Sequence, residues 1–325
     1  MPEVSIIVPN YNHGRFLEER LESIFSQTFQ DFEVILLDDC STDNSMEILQ
    51  KYAAHSKVKG LYINESNSGS PFKQWFKGIS LVEGKYIWIA ESDDIADKDF
   101  LTALVPALEA NSRLALAYCQ SKIINENSDI IGEYSNYSCS CPERWKRDFT
   151  NSGMSEISSF LLRINTIPNA SAVLVRKNAL DHITPPDNQN TMGDWYIWIK
   201  ILSRGDLFYT AKPLNYFRQS SQSTRQHCPF EGKQARGFQA IELMEQLARE
   251  KILNSENYRK AMLCRLDSWA FECFSAQAPL KNLFYVLKQF PALKKYAPQL
   301  LLYYVRHKLH LRSRFRLKNM PFDEA

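Results

Sequence analysis

Four times in its first 94 residues the chain runs through a short hydrophobic stretch that stops at polar or acidic residues and gives way to helical spacing. Residues Val4 to Pro9 end at Asn10-Tyr11-Asn12, and Phe16, Leu17, Leu21, Ile24 and Phe25 then recur one helical turn apart. Phe32 to Leu37 end in Asp38-Asp39, after which CSTDNS supplies turn and cap residues for a helix carrying Met46, Ile48, Leu49 and Tyr52. Val58 to Ile63 lead into the polar loop NESNSGS and a helix expected from about Phe72 to Val82. Gly84 then opens the fourth run, GKYIWIAESDD, whose apolar part ends abruptly at Glu91, Ser92, Asp93 and Asp94. Parallel strands need crossover connections, and helices are the usual crossover. This alternation therefore predicts an α/β fold built on a mostly parallel sheet covered on both faces. Open sheets of this kind gather ligands at the carboxyl ends of their strands, where the three carboxylates fall.

The pattern continues less regularly. A helix is expected over Asp99 to Ala110 and a strand over Leu114 to Ile124. Asn125 to Ser155 read as a long irregular binding loop. Ser171 to Val175 form a strand, Thr184 to Met192 a loop, and a helix opens at Gly193-Asp194 and closes at Gly205. Leu214 to Arg218 give a last short strand. Helix formers then dominate, with a boundary near Phe230 that divides the chain into 1–229 and a helical, basic C-terminal extension over 230–325. No apolar run approaches the ~20 residues of a membrane span and no signal-peptide pattern opens the chain, so a cytoplasmic location is expected. Seven scattered cysteines without a CxxC pair argue against structural zinc or a disulfide framework.

Two carboxylates separated by one residue at a strand end suit a hard divalent cation that shares its shell with a substrate diphosphate. The plain alternative is that Ser92, Asp93 and Asp94 cap the next turn. Asp38-Asp39 could likewise cap, or could accept hydrogen bonds from a base or ribose. Asp194 opens a helix, where the dipole favours its charged form; it can be a cap, a general base, or both.

Taken in order, VSIIVPNYN, VILLDDCSTDNS, NSGS, GKYIWIAESDD and GDWYIWIK resemble the family 2 glycosyltransferases, over roughly residues 4 to 220. The resemblance implies the GT-A fold, a Rossmann-like, mostly parallel mixed sheet flanked by helices, with nucleotide-sugar binding in about 1–115 and the acceptor half in 116–229. It implies that Pro9, Tyr11 and Asn12 line the nucleotide, that Asp39 contacts the base, and that Gly69 and Lys73 approach the diphosphate. Asp93 and Asp94 match the DxD-type segment, Asp94 as metal ligand and Asp93 nearer the ribose or metal. Ser92 belongs to the same donor-binding turn, and Glu91 stands where many relatives have Asp. Asp194 matches the catalytic base. The cofactor implied is Mg2+ or Mn2+, and the reaction an inverting transfer from a nucleotide-diphosphate sugar to a glycan or lipid-linked acceptor, as in bacterial surface polysaccharide synthesis. Ser220 occupies the place where the family often has His two residues after an Arg. Arg218 and Arg225 could pair with phosphates or form solvent-facing salt bridges, and His227 lies too late to substitute for the missing His.

Trp75, Trp88, Trp195, Trp198 and Trp269 fall in periodic segments and read as core, whereas Trp145, in SCPERWKRDF, is a candidate sugar platform. From Cys273 to Phe322 there are ten Lys/Arg and no Asp/Glu. Tyr303 to Lys318 interleave these with aromatic and aliphatic residues. That segment suits either an anionic membrane surface or packing on the domain or a second subunit as a homo-oligomer. Nucleic acid is not expected as a partner, because no stacking platform or recognition motif accompanies the charge. The rival to an enzyme is a protein of the same fold that holds a nucleotide sugar without transfer. A nicotinamide dehydrogenase is disfavoured because no GxGxxG follows the first strand.

Overall fold

The computed structural model describes residues 1–135, 141, 143–167, 169–184, 192–219, 230–275, 284, 287–288, 294 and 296–308. The chain separates into two compact units, Met1–Ile157 with Asn165–Ser221, and Ser158–Ile164 with Gln222–Ala325.

The first unit is built on a ten-stranded mixed sheet. Its strands are β1 (Val4–Asn10), β2 (Phe32–Asp38), β3 (Val58–Ile63), β4 (Tyr86–Ile89), β5 (Ile95–Ala96), β6 (Leu114–Ile124), β7 (Ile130–Glu133), β8 (Phe149–Asn151), β9 (Val173–Arg176) and β10 (Asp206–Arg218). Around them lie α1 (Gly14–Phe25), α2 (Ser45–Ala53), α3 (Pro71–Ile79), α4 (Phe100–Ala110), α5 (Gly153–Glu156) and α6 (Gly193–Leu202). The spatial order is β3-β2-β1-β4-β9-β6-β10-β5, with β7 paired to β6 and β8 to β10. The first four strands are parallel, as the alternation predicts, and β9 runs antiparallel to both β4 and β6.

β1 is buried along its whole length, which is why it reads as a continuous hydrophobic run rather than an alternating one. Ile6 and Val8 join Leu17, Leu21 and Ile24 of α1, Leu36 of β2 and Trp88 of β4 in one cluster. Ile7 faces the opposite way, where a methyl group added to Gly78 of α3 would come within 2.4 Å of its Cγ2. Each such aliphatic side chain contributes about 1.5–3 kcal/mol of burial. The register pairs Asn10 with Asp38 and Ile7 with Ile89, so the polar ends of β1, β2 and β4 leave the sheet on one edge.

Two expectations are corrected. The last strand is not confined to Leu214–Arg218: β10 begins at Asp206, and its pairing with β6 slips around Pro213. Proline lacks the N–H that a continuous ladder needs, so the strand bulges there and the sequence reads as broken. Within Asn125–Ser155, the described residues include β7, β8 and a 3-10 turn at Arg144–Lys146, so that stretch is not wholly irregular.

The second unit contains α7 (Phe230–Arg249), α8 (Ser255–Ser275) and α9 (Ala297–Lys308). Ile241, Leu243, Met244, Leu247, Met262, Leu266 and Leu300 are buried. Just before α9, the Tyr296 hydroxyl donates to Glu245 Oε1 at 2.9 Å and lies 3.0 Å from the Tyr258 hydroxyl. Among the described residues no helix is long and apolar enough to cross a membrane.

Candidate active site

The carboxyl edge of the sheet holds most of the residues singled out from the sequence. After β1, Pro9 is buried, Tyr11 is 45% exposed and Asn12 takes a left-handed φ of 54°. That conformation lets Asn12 Oδ1 accept from Thr42 N at 2.7 Å while its own N–H reaches Ser41 Oγ at 2.9 Å. Asp38 is a brace: its oxygens accept from Asn10 Nδ2, Ser41 N and Ser41 Oγ at 2.7–2.9 Å, joining the ends of β1 and β2. Asp39 fastens the next loop, accepting from Asn64 Nδ2 (2.5 Å), Ser68 N (2.9 Å), Ser68 Oγ (2.7 Å) and Gln74 Nε2 (2.8 Å). Gly69 sits in that loop at φ 72°, a conformation that an L side chain rarely adopts. The Lys73 ammonium donates to Ser68 O at 3.0 Å from an exposed position.

The turn after β4 is held from several directions. Ser92 is buried, with its Oγ 2.8 Å from His13 Nδ1. Asp94 is 2% exposed; its Oδ2 accepts from Asn169 Nδ2 at 2.6 Å and its Oδ1 from Arg218 N at 2.9 Å. Arg218 does not offer its guanidinium to a phosphate, as the sequence reading allowed. The side chain is buried, and its nitrogens donate to Asp93 O, Asn125 O, Ser128 Oγ and Glu19 Oε2 at 2.7–3.1 Å. Arg218 therefore clamps the acidic turn to α1 and to the β6–β7 connection. Ser220, Arg225 and His227 lie outside the described residues.

Glu91 is fastened as well: Trp75 Nε1 of α3 donates to its Oε1 at 2.6 Å. Burial, reinforced by the neighbouring Asp93, pushes the Glu91 carboxyl up to about 8 and the Asp94 carboxyl up to about 7. Arg20, fully buried over the Trp88 ring at 4.7 Å, opposes them with its charge. None of its three guanidinium nitrogens has a hydrogen-bond partner. Desolvation lowers Arg20 to about 10, and Asp94, Glu91 and Asp93 act to raise it. The edge is thus short of positive charge.

A pH dependence follows. The folded protein keeps protons on Glu91 and Asp94 that the unfolded chain releases near pH 4–4.5, so stability falls as pH rises from about 4 to about 8. A divalent cation, were it to bind at this turn, would displace those protons and remove the slope. Thermal denaturation between pH 5 and pH 8 should show Tm falling without Mn2+ and level with it; a level Tm in both series contradicts the charge account.

Asp194 lies in the first turn of α6 but is not its cap, a position held by Met192. Its Oδ1 accepts from Trp195 N at 2.8 Å and its Oδ2 from Asn165 Nδ2 at 3.2 Å. α6 approaches α3 closely: a methyl group on Gly193 would come within 2.3 Å of the Phe72 ring, and the Trp75 and Trp198 rings are 6.1 Å apart. Only a glycine before Asp194 allows that approach. The helix that carries Asp194 thus packs on the helix that fastens both Asp39 and Glu91.

Trp145 is corrected from sugar platform to core. It is 4% exposed and packs edge-on against Phe149 and Tyr209, with ring centroids 5.4 and 5.3 Å away. Sequence reasoning missed Arg20, Gln74, Asn165 and Asn169. Their signal is weak, because each acts through a partner distant in the chain.

The family model for glycosyl transferase family 2 matches residues 5–183. The chain belongs to that family. Glycosyltransferase GlyG of Streptococcus pneumoniae is 35% identical over 136 residues, 41% of this chain and 40% of GlyG. The poly(ribitol-phosphate) beta-N-acetylglucosaminyltransferase TarS of Staphylococcus aureus is 37% identical over 103 residues, 31% of this chain and 18% of TarS. The match thus spans less than half of either relative. In structure, S. aureus TarS 1-349 in complex with UDP-GlcNAc superposes with TM-score 0.61 at 18% identity, covering 99% of this chain and 97% of that one. The mannosyltransferase PcManGT of Pyrobaculum calidifontis, in complex with GDP-Man and Mn2+, gives 0.54 at 16% identity over 97% and 88%. These likenesses bear out the GT-A fold.

Proposed function

We propose that this member of family 2 is an inverting glycosyltransferase that moves a sugar from a nucleotide-diphosphate donor to a hydroxyl of a glycan or lipid-linked acceptor in bacterial surface polysaccharide synthesis. The observation that carries the reading is the edge itself. Asp39 and the acidic turn stand at the carboxyl ends of β2 and β4, the parallel strands on either side of β1, and the helix bearing Asp194 packs on the helix that fastens them. Asp194 would take the proton from the acceptor hydroxyl as it attacks the anomeric carbon opposite the leaving diphosphate. Trp195 N and Asn165 fix that carboxylate, so its basic oxygen does not have to be ordered during the reaction.

The donor set of Asp94 and Asp93, with Glu91 behind, fits Mg2+ or Mn2+: all ligands are oxygen, and the raised carboxyls mark excess negative charge. Among the described residues no three such groups are placed to hold a metal ion by themselves, so diphosphate and water would have to supply the remaining ligands. When bound, the ion would neutralise charge growing on the leaving diphosphate. Pro9, Tyr11, Asn12, Asp39, Gly69, Lys73 and Ser92 would line the nucleotide. A thermal-shift screen of nucleoside diphosphates with Mn2+ tests the reading: one base should raise Tm by several degrees, and only when metal is present. Stabilisation by a nucleotide without turnover on any glycan extract would favour the non-catalytic binding protein, a reading that the fastening of Glu91 to Trp75 supports.

The C-terminal extension favours an anionic membrane surface. On α9, Leu301, Leu302 and Val305 are 43–52% exposed, opposite buried Leu300, in a region with ten Lys/Arg and no acid between Cys273 and Phe322. Residues 309–318 of the basic segment lie outside the described residues. The protein should cosediment with vesicles of phosphatidylcholine and phosphatidylglycerol and not with phosphatidylcholine alone, with binding weakened by salt. Equal partition onto both vesicles, or a dimer dissociated by Leu301→Glu without any lipid binding, would exclude the membrane role.

A further inference from the structure

The acid on α6 and the acidic turn after β4 are held by the same short stretch of chain. Asn165 Nδ2 donates to Asp194 Oδ2 at 3.2 Å, and four residues later Asn169 Nδ2 donates to Asp94 Oδ2 at 2.6 Å. Two residues beyond, Ser171 Oγ lies 3.1 Å from Glu91 N and its backbone oxygen accepts from Trp88 Nε1 at 2.8 Å. The sequence from Asn165 to Ser171 therefore touches Asp194, Asp94 and Glu91 in turn.

Each amide has its orientation set by a second bond. Asn165 Oδ1 accepts from Ile167 N at 3.2 Å, which leaves its NH2 for Asp194. Asn169 Oδ1 accepts from Asn215 Nδ2 at 3.3 Å, and Asn215 Nδ2 also reaches Ser121 Oγ at 3.0 Å. With its carbonyl turned to β10, Asn169 presents donors to Asp94. The stretch between them is anchored: Thr166 and Ile167 are fully buried, and Thr166 Oγ1 donates to Glu156 Oε1 at 3.1 Å. Glu156 is in turn paired with Arg144 at 2.5 Å. Four residues of chain can separate the two asparagine Cα atoms by at most about 14 Å. An anchored link of that length limits how far the acids it grips can drift apart.

We propose that the described parts of this stretch, Asn165 to Ile167 and Asn169 to Ser171, act as a spacer that sets the separation between the proton-accepting carboxylate and the donor-binding turn, with Asn165 and Asn169 as positioning residues for the two ends. This rests on the reading of Asp194 as base and Asp94 as part of the donor site. Amides suit both positions because they donate to a carboxylate without adding charge. An aspartate at either would face an acceptor with an acceptor and add to an edge already short of cations. The spacer divides the effects of its two ends. Asn165 governs the acid that acts during transfer, and Asn169 governs the turn that binds the donor before it.

Steady-state kinetics, Mn2+ titration followed by electron paramagnetic resonance, and thermal denaturation of Asn165→Ala, Asn169→Ala and Asp194→Asn test this in the full-length protein. Asn165→Ala should lower kcat about ten- to a hundred-fold with donor KM within about two-fold, since misplacing a reacting group costs rate rather than donor affinity. Asn169→Ala should weaken Mn2+–nucleoside diphosphate binding about ten-fold, a change read without turnover. Restoring a short donor with Asn165→Ser should recover part of kcat, whereas Asn165→Asp should recover none. Wild-type kcat in Asn165→Ala beside an inactive Asp194→Asn overturns the spacer alone. Full activity in Asp194→Asn overturns the reading of the base, and the spacer with it. Losses in both alanine variants that only follow the unfolded fraction, or that fall equally on kcat and donor binding, assign the segment to packing and also overturn it.

Discussion

Replacing Asp194 by Asn is expected to lower transfer about 10³-fold while leaving donor binding unchanged, because a positioned general base supplies about two to four orders of magnitude in rate. The substitution keeps the shape of the side chain and one acceptor oxygen, which can still take the Trp195 N–H. What it removes is the ability to hold a proton. It also sets one amide NH2 against another at Asn165, the donor now facing Asp194 Oδ2. Release of nucleoside diphosphate measured with and without acceptor separates the two consequences. Loss of acceptor-dependent release at unchanged donor affinity supports the base, and full transfer by Asp194→Asn with the right acceptor refutes it.

Asp94→Asn should be comparably severe in rate but act through the donor. Asp94 Oδ2 accepts from Asn169 and Oδ1 from Arg218 N, with Ser171 as a further side-chain partner, and an amide, with one oxygen, cannot satisfy them all. On the proposed reading the variant loses both a metal-binding charge and the geometry of the turn. An expected fall of about 10³-fold in transfer corresponds to about 4 kcal/mol of stabilisation lost at the developing diphosphate charge. Unlike Asp194→Asn, it should abolish the Mn2+-dependent thermal shift by nucleoside diphosphate. It should also flatten part of the fall in Tm with pH, since one of the two carboxyls responsible is gone. A variant that keeps the Mn2+-dependent shift would move the metal to other residues.

The two variants differ because the two acids are reached by different routes through the molecule. Asp94 is buried at the end of a strand whose hydrophobic run is visible in the sequence, and its surroundings are assembled from β4, β10 and the stretch before β9. Asp194 opens a helix and is half-exposed, so its position depends on how α6 seats on α3 through Gly193 and Phe72. Glu91 belongs to the same turn as Asp94. Its bond to Trp75 ties the turn to α3, which explains why a longer side chain is accommodated where many family members have Asp.

The sequence by itself determined the parallel half of the sheet, because β1, β2 and β4 are buried on both faces and so appear as hydrophobic runs with polar ends, while the outer strand β3, half-buried or exposed, is legible from its place in the alternation. It also determined the acidic turn and the helix start at Gly193-Asp194, features made by neighbours in the chain. The tertiary structure alone decided what those residues touch. Arg218 reads as a phosphate ligand in isolation, but its guanidinium is consumed in clamping a turn 125 positions away in the chain. Trp145 reads as an exposed platform, but Tyr209 and Phe149 enclose it. β10 reads as a short strand because Pro213 interrupts it, yet pairing with β6 carries it across the bulge. Asn165 and Asn169 carry no pattern at all, since an asparagine is equally at home in any loop. Their bonds close over 29 and 75 positions, and contacts at such separations are fixed by packing rather than by local spacing.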